Sequence, residues 1–157
     1  MEKENLHFRV GLSGTGDKFP EFKISVGNKE YIHSTLAAND VIEYFEFDAE
    51  ILEGAHSLNI AFLNKTVYDT KLDASGNIVK DLLLNIESIE IDDIDIGSLK
   101  WTASEYRPLY PESYKQHVLS AGQQISDEVK NCVNLGWNGT WSLPFTSPFY
   151  IWLLENI

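Results

Sequence analysis

The chain has 157 residues, of which 43% are apolar and 12% aromatic, so it can form one domain with a hydrophobic core but is too short for two full domains. Its 24 acidic residues outnumber 12 basic ones and give a net charge of -12, which repels nucleic acid and anionic membrane surfaces. The single cysteine, Cys132, excludes an intrachain disulfide and a zinc site built from cysteines.

The N-terminal part of the chain predicts a series of antiparallel strands. Apolar and polar residues alternate there, which is the pattern of a half-buried strand. The alternating segments are residues 7–12, 21–26, 44–52 and 56–63. The segments between them are rich in Gly, Asn, Asp and Pro, which favour turns. Short strands and turns at this spacing are typical of an all-β sandwich or barrel.

The next strand-like stretch, residues 82–96, changes the parity of its apolar residues twice. A strand can keep one face inward across such a change only if it has an extra residue there. We therefore predict bulges or bends near residues 87–88 and 92–93. The acidic residues of this stretch are interpreted as a solvated face that also protects a sheet edge. They are Glu87, Glu90, Asp92, Asp93 and Asp95.

The loop before this stretch carries oxygen ligands that do not alternate with core residues. Calcium takes roughly six to eight oxygens, and loops at the end of a sandwich can supply them. The candidate ligands are Asn64, Asp69, Asp73 and Asp81. Their spacing does not match the EF-hand pattern, so the residues alone leave two interpretations open, a calcium site and a wet surface.

Residues 20–97 resemble a known family. Val26 and Gly27 form a short turn, residues 62–65 a strand end, Asp81 the start of a segment, and residues 86–89 the strand that follows. In this order they resemble the calcium-dependent, xylan-binding type of carbohydrate-binding module. The resemblance implies an antiparallel, jelly-roll-like β-sandwich in which loop carboxylates hold calcium and open coordination positions accept sugar hydroxyls.

The chain departs from the family pattern at two places. Lys65 stands where the family has an acidic metal ligand, and Leu82 and Leu83 stand where an Arg-Asn pair is expected. These departures weaken the expectation of calcium, and of xylan as the sugar, more than the expectation of a sandwich.

Residues 98–157 lie outside the resemblance. Two prolines and a polar segment predict a short helical or irregular insertion at about 112–131. Asn138 followed by Gly139 predicts a tight hairpin. We predict one domain over residues 1–157, with 98–157 as a C-terminal extension that packs on the sandwich or on a partner.

The same part of the chain is rich in large aromatic and apolar residues. Segment 145–154 is predicted to form a last strand of the core or to dock on another subunit. Trp137 and Trp141, together with Tyr68, are candidates for stacking on sugar rings. The alternative for large aromatics is a place in the core or in a protein interface.

No catalytic residues are predicted. The four histidines are scattered, and the sequence has no serine-hydrolase, zinc-protease or phosphate-loop motif. We therefore expect that the protein is not an enzyme.

Two classes of function remain, a glycan-binding module and an assembly protein. No signal peptide or membrane span is visible, so we expect synthesis in the cytoplasm, with neither membrane nor nucleic acid as a partner. By analogy with β-sandwich proteins that decorate tailed phages, we predict a virion-associated structural or decoration protein. Its partners would be virion subunits or copies of itself, and it would bind polysaccharide with calcium assistance. The alternative is a stand-alone calcium-dependent polysaccharide-binding module of a carbohydrate-degrading system.

Overall fold

Two antiparallel sheets contain most of the strands of residues 2–157, the part of the chain that the computed structural model describes. The strands are β1 (Lys3–Thr15), β2 (Glu21–Val26), β3 (Lys29–Thr35), β4 (Glu43–Leu52), β5 (Gly54–Phe62), β6 (Lys71–Leu72), β7 (Ile78–Lys80), β8 (Leu83–Ile91), β9 (Ile94–Asp95), β10 (Glu105–Pro108), β11 (Val129–Lys130), β12 (Asn134–Leu135) and β13 (Gly139–Ser147). The helices are α1 (Leu99–Thr102), α2 (Glu112–Ser120) and α3 (Phe149–Asn156), and one 3-10 turn covers Val67–Asp69.

The first sheet has the order β12-β8-β1-β4, with β9 paired to β8, and the second has the order β11-β10-β13-β5-β2-β3. Strands β6 and β7 form a separate small hairpin. The predicted antiparallel β-sandwich is confirmed. Alternate side chains of the two sheets meet in one core, in which Phe8, Phe22 and Trp141 are fully buried. Each large apolar side chain buried in this way contributes roughly 1.5–3 kcal/mol.

The first predicted interruption of β8 is a β-bulge. Gly11 pairs with Ser88, but the next residue, Leu12, pairs with Ile86, so Glu87 is the extra residue. The bulge lets the isoleucines on either side of it face the core, and the prediction at residues 87–88 is confirmed.

The second interruption is the turn from β8 to β9. Asp92 and Asp93 both have positive φ, 51° and 65°, which suits a two-residue hairpin turn, and the predicted bend is confirmed. Two acidic side chains of this stretch, which were expected to be solvated, instead bind other groups of the protein. Asp92 accepts a hydrogen bond of 2.8 Å from the backbone N–H of His7, and Glu90 pairs with Arg9 at 2.7 Å.

The C-terminal third is part of the sandwich and not an extension added to it. β13 lies between β10 and β5 in the second sheet, whereas β12 pairs with β8 in the first. The predicted hairpin at Asn138 and Gly139 is therefore wrong, because the chain crosses between sheets there. Gly139 has a φ of 148°, and a Cβ at this position would overlap the carbonyl oxygen of Arg107.

The prediction for the helices is correct in part. α2 lies within the predicted 112–131 segment, but α1 and α3 lie outside it, and α3 replaces the expected last strand. Two of its buried side chains lie three and four residues after the first, on one face that closes the core beside Phe145. The buried side chains are Phe149, Trp152 and Leu153. No helix of residues 2–157 combines the length and apolarity needed to cross a membrane.

Candidate functional site

An open groove of about 360 Å³ lies between α2 and the β6-β7 hairpin. Its lining combines aromatic and aliphatic side chains with hydroxyl and imidazole groups. The lining residues are Val67, Thr70, Leu72, Ile78, Ser113, Tyr114, His117 and Trp137. We refer to this feature as the aromatic groove.

Three aromatic rings pack together on the α2 side of the aromatic groove. The ring centroids of Tyr114 and Trp137 are 4.9 Å apart and tilted by 49°. Tyr110 stacks on Tyr114 at 5.5 Å and meets Trp137 edge-on at 6.4 Å. Aromatic pairs at such distances contribute about 0.5–1.5 kcal/mol beyond their buried area, so the rings fix one another's positions.

The local sequence explains how α2 presents its groove residues. Pro111 precedes the first helical residue, a place where its locked φ favours helix entry. Ser113 and His117 are four residues apart on α2, and residues at this spacing share one face of a helix. Tyr114 lies beside them and reaches Trp137.

A buried tyrosine hydroxyl holds the backbone of Trp137. The hydroxyl of Tyr106 accepts a hydrogen bond of 3.0 Å from the Trp137 N–H and donates one to the Trp137 carbonyl oxygen. Burial raises the pKa of Tyr106 far above its usual range, so the hydroxyl keeps the proton it donates. The position of Trp137 is therefore set by the core.

A buried lysine, Lys65, lies over the Trp137 ring. The Lys65 Nζ lies 4.8 Å from the Trp137 ring centroid and forms an ion pair with Asp81, and the Lys65 side chain is only 1% exposed. The Asn138 side chain holds the Lys65 backbone, accepting from its N–H at 2.7 Å and donating to its carbonyl at 2.9 Å. The Lys65 ammonium is thus held by the Asp81 carboxylate and the Trp137 ring, and the Lys65 backbone is held by Asn138.

Two of the predicted calcium ligands are occupied by protein groups. Besides the Lys65 ammonium, Asp81 Oδ1 accepts hydrogen bonds from the Thr70 hydroxyl at 2.7 Å and from the Leu82 N–H at 2.9 Å. Asn64 Oδ1 accepts from the backbone N–H of Glu21 at 2.8 Å, which ties this loop to β2.

The other two predicted ligands also serve local structure. Asp69 accepts from the Thr66 N–H at 2.7 Å and pairs with Lys18 at 2.9 Å. Partial burial raises the pKa of Asp69, but the Lys18 and Thr66 contacts outweigh it and the net pKa is below the usual value. Asp73 closes its own turn, and the backbone hydrogen bond from Asn77 is the largest cause of its lowered pKa.

The predicted ligands do not fit a calcium ion. Within residues 2–157, no group of three or more His, Cys, Asp or Glu side chains is arranged to hold a metal ion. A ligand oxygen must offer a lone pair to the metal, whereas Asp81 Oδ1 already accepts from three donors, one of them an ammonium. The cation beside this carboxylate is Lys65.

The three aromatic residues predicted to contact sugar lie in different environments. Trp137 lines the aromatic groove. Tyr68 belongs to the 3-10 turn, next to the groove residue Val67, and is 83% exposed. Trp141 is fully buried, so its ring packs in the core and cannot meet a ligand on the surface.

Sequence reasoning missed the residues that α2 brings to the groove. Ser113 and His117 are four residues apart within the segment predicted to be helical, and Tyr114 lies three residues before His117. This spacing across a predicted helix was a usable signal, because residues four apart share a face. What the sequence did not show is that this face would lie against Trp137.

A larger depression of about 490 Å³ lies near the β2-β3 turn and includes Tyr31. One face of this ring stacks on Phe47 at 4.7 Å, and the Lys29 Nζ lies over the ring at 5.1 Å from its centroid. Tyr31 is the one aromatic ring among Phe, Tyr and Trp in this depression, whereas the aromatic groove has two, Tyr114 and Trp137. We therefore place the candidate site at the aromatic groove.

Comparison with known proteins relates the fold to carbohydrate-binding modules. No protein-family model matches the sequence, and no curated protein matches it. A solved structure described as vCBM60 in complex with galactobiose has a TM-score of 0.52 and 14% identity, covering 87% of this chain and 96% of that one. The fold defined here is therefore that of a small β-sandwich similar to such a module.

A second solved structure is the selenomethionine form of vCBM60. Its TM-score is 0.56 at 14% identity, with 88% of this chain and 89% of that chain covered. It is described in connection with a circular permutation that links two families of calcium-dependent carbohydrate binding modules. At this level of identity the similarity shows the shared fold.

Proposed function

We propose that the protein is a non-catalytic carbohydrate-binding module that takes a neutral glycan in the aromatic groove. The observation that carries this proposal is the Tyr114-Trp137 pair, placed in an open groove beside hydroxyl and imidazole groups. The similarity of the fold to vCBM60, a structure with galactobiose bound, supports the same function.

The chemistry of the groove suits a sugar ring. One face of a pyranose is lined by C–H groups and packs on an aromatic ring, while its hydroxyls need both donors and acceptors. Thr70, Ser113 and His117 supply both. The groove volume of about 360 Å³ is within the usual range of roughly 300–1,000 Å³ for small-ligand sites.

Charge favours a neutral glycan over an acidic one. The groove lining described above has neither an ammonium nor a guanidinium group to pair with a uronate or sulfate. The net charge of -12 repels polyanions at long range. Retention on a neutral polysaccharide should therefore change little with salt concentration.

Affinity electrophoresis in gels containing galactan, xylan, glucan, mannan or pectate tests the proposal. We expect retardation by at least one neutral polysaccharide and none by pectate. Trp137→Ala and Tyr114→Ala should each weaken binding roughly tenfold or more, as expected when an aromatic anchor is truncated. Circular dichroism checks that each variant is folded.

The matched control is Trp101→Ala. Trp101 lies on α1 outside the groove and is 41% exposed, so its removal should leave retardation unchanged. Equal retardation of wild type and Trp137→Ala would contradict the proposal, as would the absence of binding to every neutral polysaccharide.

The virion-associated role stays a prediction from the sequence, because neither similar structure supports it. The structure limits where an assembly surface would lie. Phe145, Phe149 and Trp152 are buried in the core of this chain. The exposed part of the predicted 145–154 surface consists of α3 side chains, the largest of which are Tyr150, Ile151 and Leu154.

A further inference from the structure

We propose that the Lys65 ammonium is a built-in cation that closes the Asp81 site to a divalent metal ion, so that the aromatic groove binds its glycan without calcium. The second half of this proposal rests on the proposed function. The first half concerns the fold alone, and it can be tested without any sugar.

The ion pair between Lys65 and Asp81 is buried on its lysine side. The Lys65 side chain is 1% exposed and that of Asp81 is 24% exposed. A buried ammonium without a partner is strongly disfavoured because it has lost its water. Lys65 also cannot turn outward easily, since Asn138 holds both polar groups of its backbone.

Protein donors already occupy the Asp81 carboxylate. A metal ion on Asp81 Oδ1 would displace the Lys65 ammonium, the Thr70 hydroxyl and the Leu82 N–H. An ion on the other carboxylate oxygen would lie beside the ammonium and be repelled by it. The first arrangement breaks the ion pair, and the second places two cations on one carboxylate, where they repel each other.

A second predicted calcium ligand is also paired with a lysine. Asp69 pairs with the Lys18 ammonium at 2.9 Å while it caps the 3-10 turn through Thr66. Two of the carboxylates that would have to gather around an ion are thus each paired with a lysine of this chain.

The ammonium also has a structural role that a metal ion at Asp81 would remove. It lies 4.8 Å from the Trp137 ring centroid, a distance at which a cation is attracted to an aromatic face. Lys65 is therefore a positioning residue for the groove, acting through Trp137. Trp137 itself is the residue that meets the ligand.

Two measurements on the full chain test the proposal. The protein is treated with EDTA and dialysed, and its melting temperature is measured in EDTA and in 10 mM calcium chloride. Its electrophoretic retardation by the neutral polysaccharide that it binds is measured in the same two buffers. We expect the same melting temperature and the same retardation in both. An ion bound only by the folded state would raise the melting temperature.

The variant Asp81→Asn shows whether any effect of calcium on the melting temperature depends on the Asp81 carboxylate. A rise in melting temperature that is present in wild type and lost in Asp81→Asn would overturn the proposal. A rise that persists in Asp81→Asn places the ion elsewhere and agrees with a closed Asp81 site. Retardation that is lost in EDTA and restored by calcium would overturn calcium-free glycan binding.

A third readout applies if Asp81→Asn does not fold. Terbium bound at Asp81 would lie near Trp137 and be excited through it, so wild type should show no sensitised terbium emission that calcium competes away. Such emission, if lost in Trp137→Phe, would overturn the proposal. Failure to bind any polysaccharide in either buffer would sink the proposed function, while the melting and terbium results would still decide the assignment of Lys65.

Discussion

Lysine ammonium groups lie over tryptophan rings in two regions of the molecule, and the two regions differ in burial. Lys100 Nζ is 4.7 Å from the Trp101 ring centroid, on an indole that is 41% exposed. In the second region, Lys65 Nζ is 4.8 Å from the Trp137 ring centroid. Here the lysine side chain itself is only 1% exposed, and it is paired with Asp81. The distances are nearly equal, so distance alone does not distinguish the pairs.

The surroundings separate the two regions. The Lys100 ammonium also donates to the backbone carbonyl of Glu87 at 2.9 Å, but water can replace either contact. The Lys65 ammonium has little access to water, and losing its carboxylate would leave a buried charge. Cation-π contacts contribute about 0.5–1 kcal/mol at exposed sites. The contribution of Lys65 to stability should therefore come from its desolvated ion pair with Asp81 more than from its contact with the ring.

The largest expected effect comes from breaking the buried pair. Asp81→Asn leaves the Lys65 ammonium buried without a counter-ion, and we expect a loss of about 3–5 kcal/mol in the free energy of unfolding. Guanidinium chloride unfolding followed by tryptophan fluorescence measures this loss. The double variant Lys65→Met, Asp81→Leu should recover part of it, because apolar residues can replace a buried pair, whereas the Thr70 hydroxyl and the Leu82 N–H lose their acceptor.

The control for that prediction is Lys100→Met. It removes the same kind of ammonium from a tryptophan ring at the surface, and it should change the free energy of unfolding by no more than about 0.5 kcal/mol. Similar losses for Asp81→Asn and Lys100→Met would refute the distinction between the two regions.

The second expected effect concerns the backbone next to Trp137. Gly139→Ala places a Cβ against the Arg107 carbonyl oxygen at a residue whose φ is 148°. Overpacking of this kind costs about 1–3 kcal/mol, and it should also shift Trp137 and weaken retardation by polysaccharide. Thermal melting and affinity electrophoresis measure the two effects.

Gly136→Ala is the matched control for Gly139→Ala. The nearest atom to a Cβ there is a side-chain carbon of Leu83 at 3.7 Å, which is an ordinary contact. We expect little change in melting temperature, and a loss as large as that of Gly139→Ala would show that close approach is not the cause.

Much of the sandwich was predictable because strand periodicity is a local property. Residues 21–26 form β2 over the predicted range, and the predicted 44–52 segment lies within β4. The bulge at Glu87 and the turn at Asp92 and Asp93 were predictable too, since a change of parity has few structural solutions. Local patterns therefore predicted many of the strands.

Non-local pairing explains the parts of the fold that were missed. Asn138 and Gly139 carry the local signal of a hairpin, but their flanking strands pair in different sheets. Segment 149–154 is so uniformly apolar that period two and period 3.6 fit it about equally well. Its packing beside Phe145 as part of α3 could not be predicted from that pattern.

The site was predictable only in part for the same reason. Trp137 was identified by residue type, but its partner Tyr114 depends on where α2 docks. The loop carboxylates were predicted to bind calcium, but the donors that occupy them are lysines and backbone N–H groups whose positions a count of acidic residues does not include. Lys65 was noticed as a departure from the family pattern, and its burial against Asp81 follows only from the structure.

The smallest expected effect comes from a surface ion pair and shows the other extreme of the comparison. His7 bonds to Asp48 through Nδ1 at 2.8 Å and to Glu46 through Nε2 at 3.0 Å. The hydrogen bond to Glu46 and then that to Asp48 raise the pKa of His7 above its usual 6.5. Because all three side chains are at least 38% exposed, water screens the interaction, and we expect it to contribute less than about 1 kcal/mol.

The sign of the pH dependence follows from the raised pKa of His7. The imidazolium is favoured in the folded state, so its stabilisation is fully present below pH 6.5 and is lost as the pH rises through the folded pKa. Urea unfolding at pH 5.5 and 8.5 should show wild type more stable than His7→Gln by a larger margin at pH 5.5. A difference in unfolding free energy that is equal at both pH values, or a His7 pKa at or below 6.5 by NMR titration, would show that the carboxylates do not stabilise the imidazolium. The difference in stability between this surface cluster and the buried Lys65-Asp81 pair would then be larger still.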